Sequence, residues 1–183
     1  PTPLLFHARD RGDQPLEDSP QRRLKGWQRL ALFASYLRPE ALAVPGLRSL
    51  LAQAFQPGCR NARSYFGLYP FHWAGDSAEL FRELQGQPGA LRVAPVLERL
   101  VFPRTQALVV AWVRGLADLE ALRWVVPAHY DAPVPCSPTQ LRELADALEQ
   151  RPWAPSAGNW AYLAGIDQTL LKLGVVPEQP QAG

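Results

Sequence analysis

Apolar residues recur along this chain mostly at three- and four-residue intervals, the rhythm of helices with one buried face. Ser19 followed by Pro20 is an N-cap with proline at the first helical position, and it opens a helix to about Leu37. Leu24, Trp27, Leu30, Ala34 and Leu37 share one face of it, and Pro39 stops it. A second helix is expected over residues 46–56, with Leu47, Leu50, Leu51, Ala54 and Phe55 inward. Asp76 with Glu79 three residues later forms a capping box, opening a short helix with Leu80, Phe81 and Leu84 on one side. Residues 85–89 (QGQPG) make a turn, and Pro95 begins a helical turn carrying Val96, Leu97, Leu100 and Val101. A longer helix over residues 105–119 is expected to bury Leu108, Val109, Trp112, Val113, Leu116 and Leu119. Ser137, Pro138 and Gln140 cap and start a helix to Gln150, with Leu141, Leu144, Ala145 and Leu148 inward. The last helix covers about residues 159–173, with Gly174 as its C-cap and Pro177 preventing continuation.

Strand signals are fewer. Residues 3–8 (PLLFHA) read as a short buried strand, residues 91–93 as another, and residues 122–126 (LRWVV) as the clearest, ended by Pro127. A helix feeding a short β-branched strand is the closing half of an α/β unit. Residues 57–75 are rich in aromatics and broken by Gly and Pro, which predicts a loop with its own small cluster. The expected fold class is α/β and helix-rich, a single domain over residues 1–177 with a frayed tail over 178–183.

Composition narrows the function classes. Of the 183 residues, 47% are hydrophobic and 20% charged, which places the chain among folded domains rather than disordered tails. No run reaches the ~18 apolar residues of a membrane-spanning helix. The net charge of +2 rests on scattered arginines, so a nucleic-acid partner is not expected. Cys59 and Cys136 form no CxxC, which excludes a zinc ribbon and a thioredoxin-type motif and favours a reducing compartment. The chain begins with Pro and holds no Met, so it is read as lacking its N-terminal part. It has no G-x-S-x-G elbow, Walker A run or GxGxxG fingerprint.

The candidate chemistry sits after the clearest strand. Ligands of α/β folds bind beyond the carboxyl ends of strands, where Pro127, His129, Tyr130 and Asp131 fall. An imidazole and a carboxylate two residues apart suit zinc, iron or manganese. On H-x-D alone, the preferred reading is structural: His129 bonds a backbone carbonyl and Asp131 caps a turn, since a closed site needs three or four ligands. His7 is read as a core or sheet-face histidine and His72 as packing within the aromatic loop. Arg22, Arg23, Lys25 and Arg29 lie beside Trp27, Phe33 and Tyr36, a basic surface for a partner or an anionic membrane. The plainer reading is an amphipathic helix with a solvated basic face.

Four segments in order carry a family resemblance: LLFHARD at residues 4–10, KGWQR at 25–29, VAPVLERLVF at 93–102 and VVPAHYDAP at 125–133. With Asn159-Trp160 and Ile166-Asp167 in the tail, the chain resembles the C-terminal half of the plant and cyanobacterial family named domain of unknown function 4336. The resemblance implies part of a metallo-β-lactamase-like αββα sandwich, a degenerate member acting as a non-catalytic binding or assembly module. Pro127, Ala128 and His129 match the setting of that fold's final metal-binding histidine, but the HxHxDH signature of the N-terminal half is absent. It thus implies zinc, iron or manganese, held partly by His129 and Asp131, only with the other half present, and none for this chain alone. The alternatives are a metal-dependent hydrolase or oxidoreductase, and a peripheral membrane protein using helix 20–37. The implied setting is cytoplasm or chloroplast stroma, with a protein partner. A half-sandwich leaves one apolar face open, so the isolated chain is expected to associate.

Overall fold

The computed structural model describes residues 3–10, 14–55, 72–127, 132–150 and 157–179. They fall into two compact units: residues 1–33 with 38–84, and residues 34–37 with 85–183.

In the first unit α1 (Pro3–His7) is a helix, not the strand expected there. A short apolar run without alternation is equally a strand or a buried helical turn. Here Ala8 N–H donates to Leu4 O at 3.0 Å, and Leu5 and His7 turn inward. The α2 helix (Pro20–Tyr36) starts where Ser19–Pro20 predicts, with Arg22 N–H donating to Ser19 Oγ at 3.2 Å. Leu37, with φ 61°, ends it. Its buried face is rotated from the expected one. Gly26, Arg29, Ala31 and Leu32 are buried, whereas Leu24 is 55% exposed. The reason is Gly26, which lets α2 run so close to α1 that an added Cβ would stand 1.7 Å from Leu4 O. β1 (Leu42–Ala43) pairs antiparallel with β2 (His72–Trp73). α4 (Ser77–Gln85) carries the expected cap: Asp76 Oδ1 accepts from Ala78 and Glu79 N–H at 3.0 Å. Phe81 and Leu84 are buried as predicted, and Phe81 meets Trp27 edge-on at 5.2 Å. α3 (Leu47–Ala54) reverses expectation, since Leu47, Leu51 and Phe55 point to solvent.

In the second unit residues 91–93 form no strand. The turn begun at Pro95 becomes a π-helical turn (Leu97–Val101) and a 3-10 turn (Phe102–Arg104), followed by α5 (Gln106–Ala117). β3 (Trp124–Val125) and β4 (Val134–Pro135) form a second antiparallel ribbon. α6 (Pro138–Gln150) opens on a reciprocal box: Ser137 N–H donates to Gln140 Oε1 at 2.9 Å, and Gln140 N–H to Ser137 Oγ at 3.2 Å. α7 (Ala157–Lys172) ends in a Schellman motif. Val175 N–H donates to Leu170 O and Gly174 N–H to Leu171 O, both at 3.0 Å, with Gly174 at φ 65°. The core lies between α5 and α6, where Val110, Val113 and Ala117 meet Leu141, Ala145, Leu148 and Cys136. Arg114 ties the same pair of helices from outside, through Asp146 at 2.9 Å and Glu149 at 2.6 Å.

The protein is therefore helix-rich α/β, as expected. Its described strands form two separate two-stranded antiparallel ribbons, not one layered sheet.

Glycines in two helices offer a direct test. Ala is normally favoured over Gly in a helix by about 1 kcal/mol. Gly165→Ala meets open space and is expected to stabilise by up to that amount. Gly26→Ala is expected to do the opposite, lowering stability by about 2–3 kcal/mol, because its Cβ meets a backbone carbonyl that cannot turn aside. Urea denaturation of the two variants checks both signs.

Candidate functional site

Of the residues expected after β3, His129, Tyr130 and Asp131 lie outside the described residues. Pro127 is described and half-buried. It follows β3, which pairs antiparallel with β4. The rule that places ligands at strand ends concerns parallel sheets fed by helices. No group of three or more metal-ligating side chains occurs among the described residues. Cys136 is buried in the α5–α6 core, and burial pushes its thiol up, away from nucleophilic use.

The basic helix carries less free charge than its sequence suggests. Arg22 pairs with Glu17 at 3.0 Å, Arg23 with Asp18 at 2.6 Å and Lys25 with Asp10 at 2.8 Å. Arg29, expected on the surface, is 2% exposed. Its guanidinium donates to Ser77 Oγ at 2.9 Å, His7 O at 3.0 Å, Arg9 O at 2.9 Å and Asp10 Oδ1 at 2.5 Å. It also stands over the Trp73 ring, 5.3 Å from its centre. One side chain thus joins α2 to both ends of the 7–10 segment, to β2 and to the start of α4. Burial alone would raise the Asp10 carboxyl, but the bonds from Lys25 and Arg29 outweigh it and hold it below its usual range.

His7 is the neutral member of this cluster. Its Nδ1 accepts from Trp73 Nε1 at 3.3 Å, which assigns that nitrogen its lone pair. Burial, and then the charge of Arg29, lowers its pKa to about 4. The core-histidine reading of His7 agrees with this burial. These bonds tie α1, α2, β2 and the start of α4 to one another.

The second unit does hold cavities. One, of about 120 Å³, lies among the π-helical turn, the 3-10 turn, α5, α6 and α7. Its apolar wall is Phe102, Pro103, Val109 and Leu148, and its polar groups are Glu98, Arg99, Gln106, Trp160 and Gln179. A second, of about 200 Å³, is lined by Leu91, Arg92, Glu98 and Leu144 among others. Glu98 borders both, and burial raises its carboxyl against the offsetting charge of Arg92. The frame is a buried ion pair: Arg104 Nη2 meets Asp167 Oδ1 at 2.8 Å, with Arg104 also donating to Leu100 O and Pro177 O. Gln179 Nε2 donates to Asp167 Oδ2 at 3.0 Å, which draws the chain end over the cavity. Sequence reasoning treated Glu98 and Arg99 as part of an apolar turn. The signal was a charged pair set inside VLERLVF, and it carries no indication of which way either side chain faces.

The family described as Domain of unknown function (DUF4336) matches residues 1–146. The chain belongs to this family. No curated protein and no solved structure matches it. The family match takes in the Arg29 cluster, the π-helical turn, α5 and most of α6, while Trp160, Asp167 and Gln179 lie beyond it. No helix of the described residues is long and apolar enough to cross a membrane.

Two outcomes are expected. Stability contributed by neutral His7 is fully present above pH 6.5, where neither the folded nor the unfolded chain binds the proton; between 6.5 and about 4 only the unfolded chain does. As pH falls from 6.5 toward about 4, on the order of 3 kcal/mol is lost, and the loss from His7 levels off below that. Urea denaturation from pH 7.5 to 4 should show this slope, and His7→Leu should flatten it. Arg29→Met should cost about 3–5 kcal/mol at pH 7, since four acceptors lose their donor at once, and the melting temperature reads it.

Proposed function

We propose that the chain is a non-catalytic binding or assembly module, the C-terminal half of a degenerate metallo-β-lactamase-like domain, in the cytoplasm or chloroplast stroma of a photosynthetic cell. The observation that carries the module reading is α5, which is apolar on two opposite faces. Val110, Val113 and Ala117 fill the core. On the other side Leu108 and Trp112, four residues apart on the helix, share one outward arc, 72% and 64% exposed, and Leu119 just past the helix end is exposed too. A helix apolar all round is ordinarily buried all round. Covering side chains of this size is worth about 1.5–3 kcal/mol each, enough to hold a partner when several act together. The occupant is an apolar protein surface, and for the isolated chain it is a second copy.

The described charges favour this over chemistry or membrane binding. Arg22, Arg23 and Lys25 already face carboxylates, and Arg29 is inside, so helix 20–37 offers an anionic membrane little net attraction. The enzyme reading depends on His129 and Asp131, and metal content decides it. Stoichiometric zinc, iron or manganese in the full-length protein, lost in His129→Ala, would replace the module reading with the enzyme one.

The direct test is sedimentation of the isolated chain. It is expected to self-associate at micromolar concentration, and Trp112→Lys is expected to return it to a monomer without lowering its melting temperature. A wild-type chain that stays monomeric would overturn the half-domain reading.

A further inference from the structure

We propose that residues 90–94 are an open β-edge that pairs with an extended strand of another protein, one that alternates apolar residues and carries a basic residue on the same face. The segment has a strand's course without a strand's partner. It runs from the turn at residues 87–89 to Pro95 with no turn or bend of its own, and Ala94, before a proline, is held to extended backbone. Among the described residues, neither the N–H nor the C=O of Leu91 or Val93 makes a hydrogen bond. The groups on either side do: Ala90 N–H donates to Gln87 O at 3.1 Å, and Ala94 O accepts from Leu97 N–H at 2.9 Å and from Glu98 N–H at 3.1 Å.

Residues two apart in extended backbone send their side chains to one face and their N–H and C=O groups to one edge. Leu91 and Val93 pack their side chains against the α5–α6 core, so packing and not a ladder fixes the segment. Both residues are only half-buried, and buried backbone groups without partners are rare, so the four open groups face water. A fixed row of solvated donors and acceptors is the template for strand addition. Side-chain selection comes from the cavity of about 200 Å³ beside the same segment, lined by Leu91 and Val93 together with Leu144 and Ala147 of α6. A cavity of ~150 Å³ admits a benzene ring, so this one has room for an aliphatic side chain of the added strand. Glu98, Glu143 and Arg92 also border it, two carboxylates against one guanidinium. Glu143 is exposed and makes no ion pair among the described residues, so the charge that complements this edge is positive.

The edge goes beyond the α5 docking face, because it recognises backbone where α5 offers side chains alone. The probe is the heptapeptide Lys-Thr-Val-Thr-Val-Thr-Lys with both ends blocked; its valines and lysines share one face in either strand direction. Amide hydrogen exchange of the full chain reads it. The Leu91 and Val93 amides are expected to exchange freely in the chain alone, and to slow about tenfold when the peptide stands at ten times its Kd. The same peptide methylated at both valine nitrogens should bind at least about tenfold more weakly, having lost two donors. Ala147→Trp, which fills the cavity from an exposed position, should weaken binding about tenfold, and Glu143→Lys about threefold or more. Ala147→Leu serves if the tryptophan variant does not fold, and Trp112→Lys should leave binding unchanged. Slow exchange of Leu91 and Val93 in the chain alone would show the edge already closed and overturn the proposal. So would exchange that the peptide does not slow, equal binding of the methylated peptide, or binding indifferent to both Ala147 and Glu143.

Discussion

A guanidinium taken out of water keeps its charge and its donors, so the fold around it must supply acceptors on every side. Both units are organised by that requirement. In the first, Arg29 gathers the carbonyls of residues 7 and 9, the Asp10 carboxylate and the Ser77 hydroxyl, which come from two separate stretches of chain. In the second, Arg104 gathers Leu100 O, Asp167 and Pro177 O. Neither arrangement survives loss of its arginine, because the acceptors would remain buried without a donor. Arg99 differs: the residue is only half-buried, and its Nε alone is enclosed without an acceptor.

The same requirement bears on what the protein can do. Charges engaged in buried pairs are poor acids, bases or steering groups, since moving their protons breaks the fold. His7 sits beside Arg29 as a neutral acceptor for Trp73, and Cys136 is a core side chain. The features left over are of another kind: an outward apolar arc on α5 and the cavities of the second unit.

Much of the local structure was legible in the sequence. Ser19–Pro20, Asp76 with Glu79, Ser137 with Gln140, and Gly174 each act within a few residues, and each cap lies where its residues predict. The faces of the helices were less legible. Leu24 and Trp112 fit a helical stripe as well as Ala31 and Val113 do, and periodicity does not say which of two apolar stripes meets the core. Gly26 decided it for α2, through close approach to a carbonyl that lies 22 residues earlier. Residues 3–8 failed for a related reason, as a six-residue apolar run is too short for its period to show. Arg29 reads as one of four basic residues within residues 22–29. Its burial depends on acceptors from residues 7, 9, 10 and 77, which no local pattern links to it.

The cavity shows how a distant pair can build a site. Asp167 and Trp160 are seven residues apart on α7, two turns along one face. The ion pair between Asp167 and Arg104 therefore does more than neutralise a buried charge. It sets the rotation of α7, and that rotation brings the Trp160 indole to the cavity that Arg99 borders. Gln179 completes the arrangement by bonding to the other oxygen of the same carboxylate. The family match stops at residue 146, so the π-helical turn lies inside it and α7 outside. One wall of the cavity thus belongs to the shared part of the chain and the other to a segment beyond it. The buried Arg104–Asp167 pair joins the two.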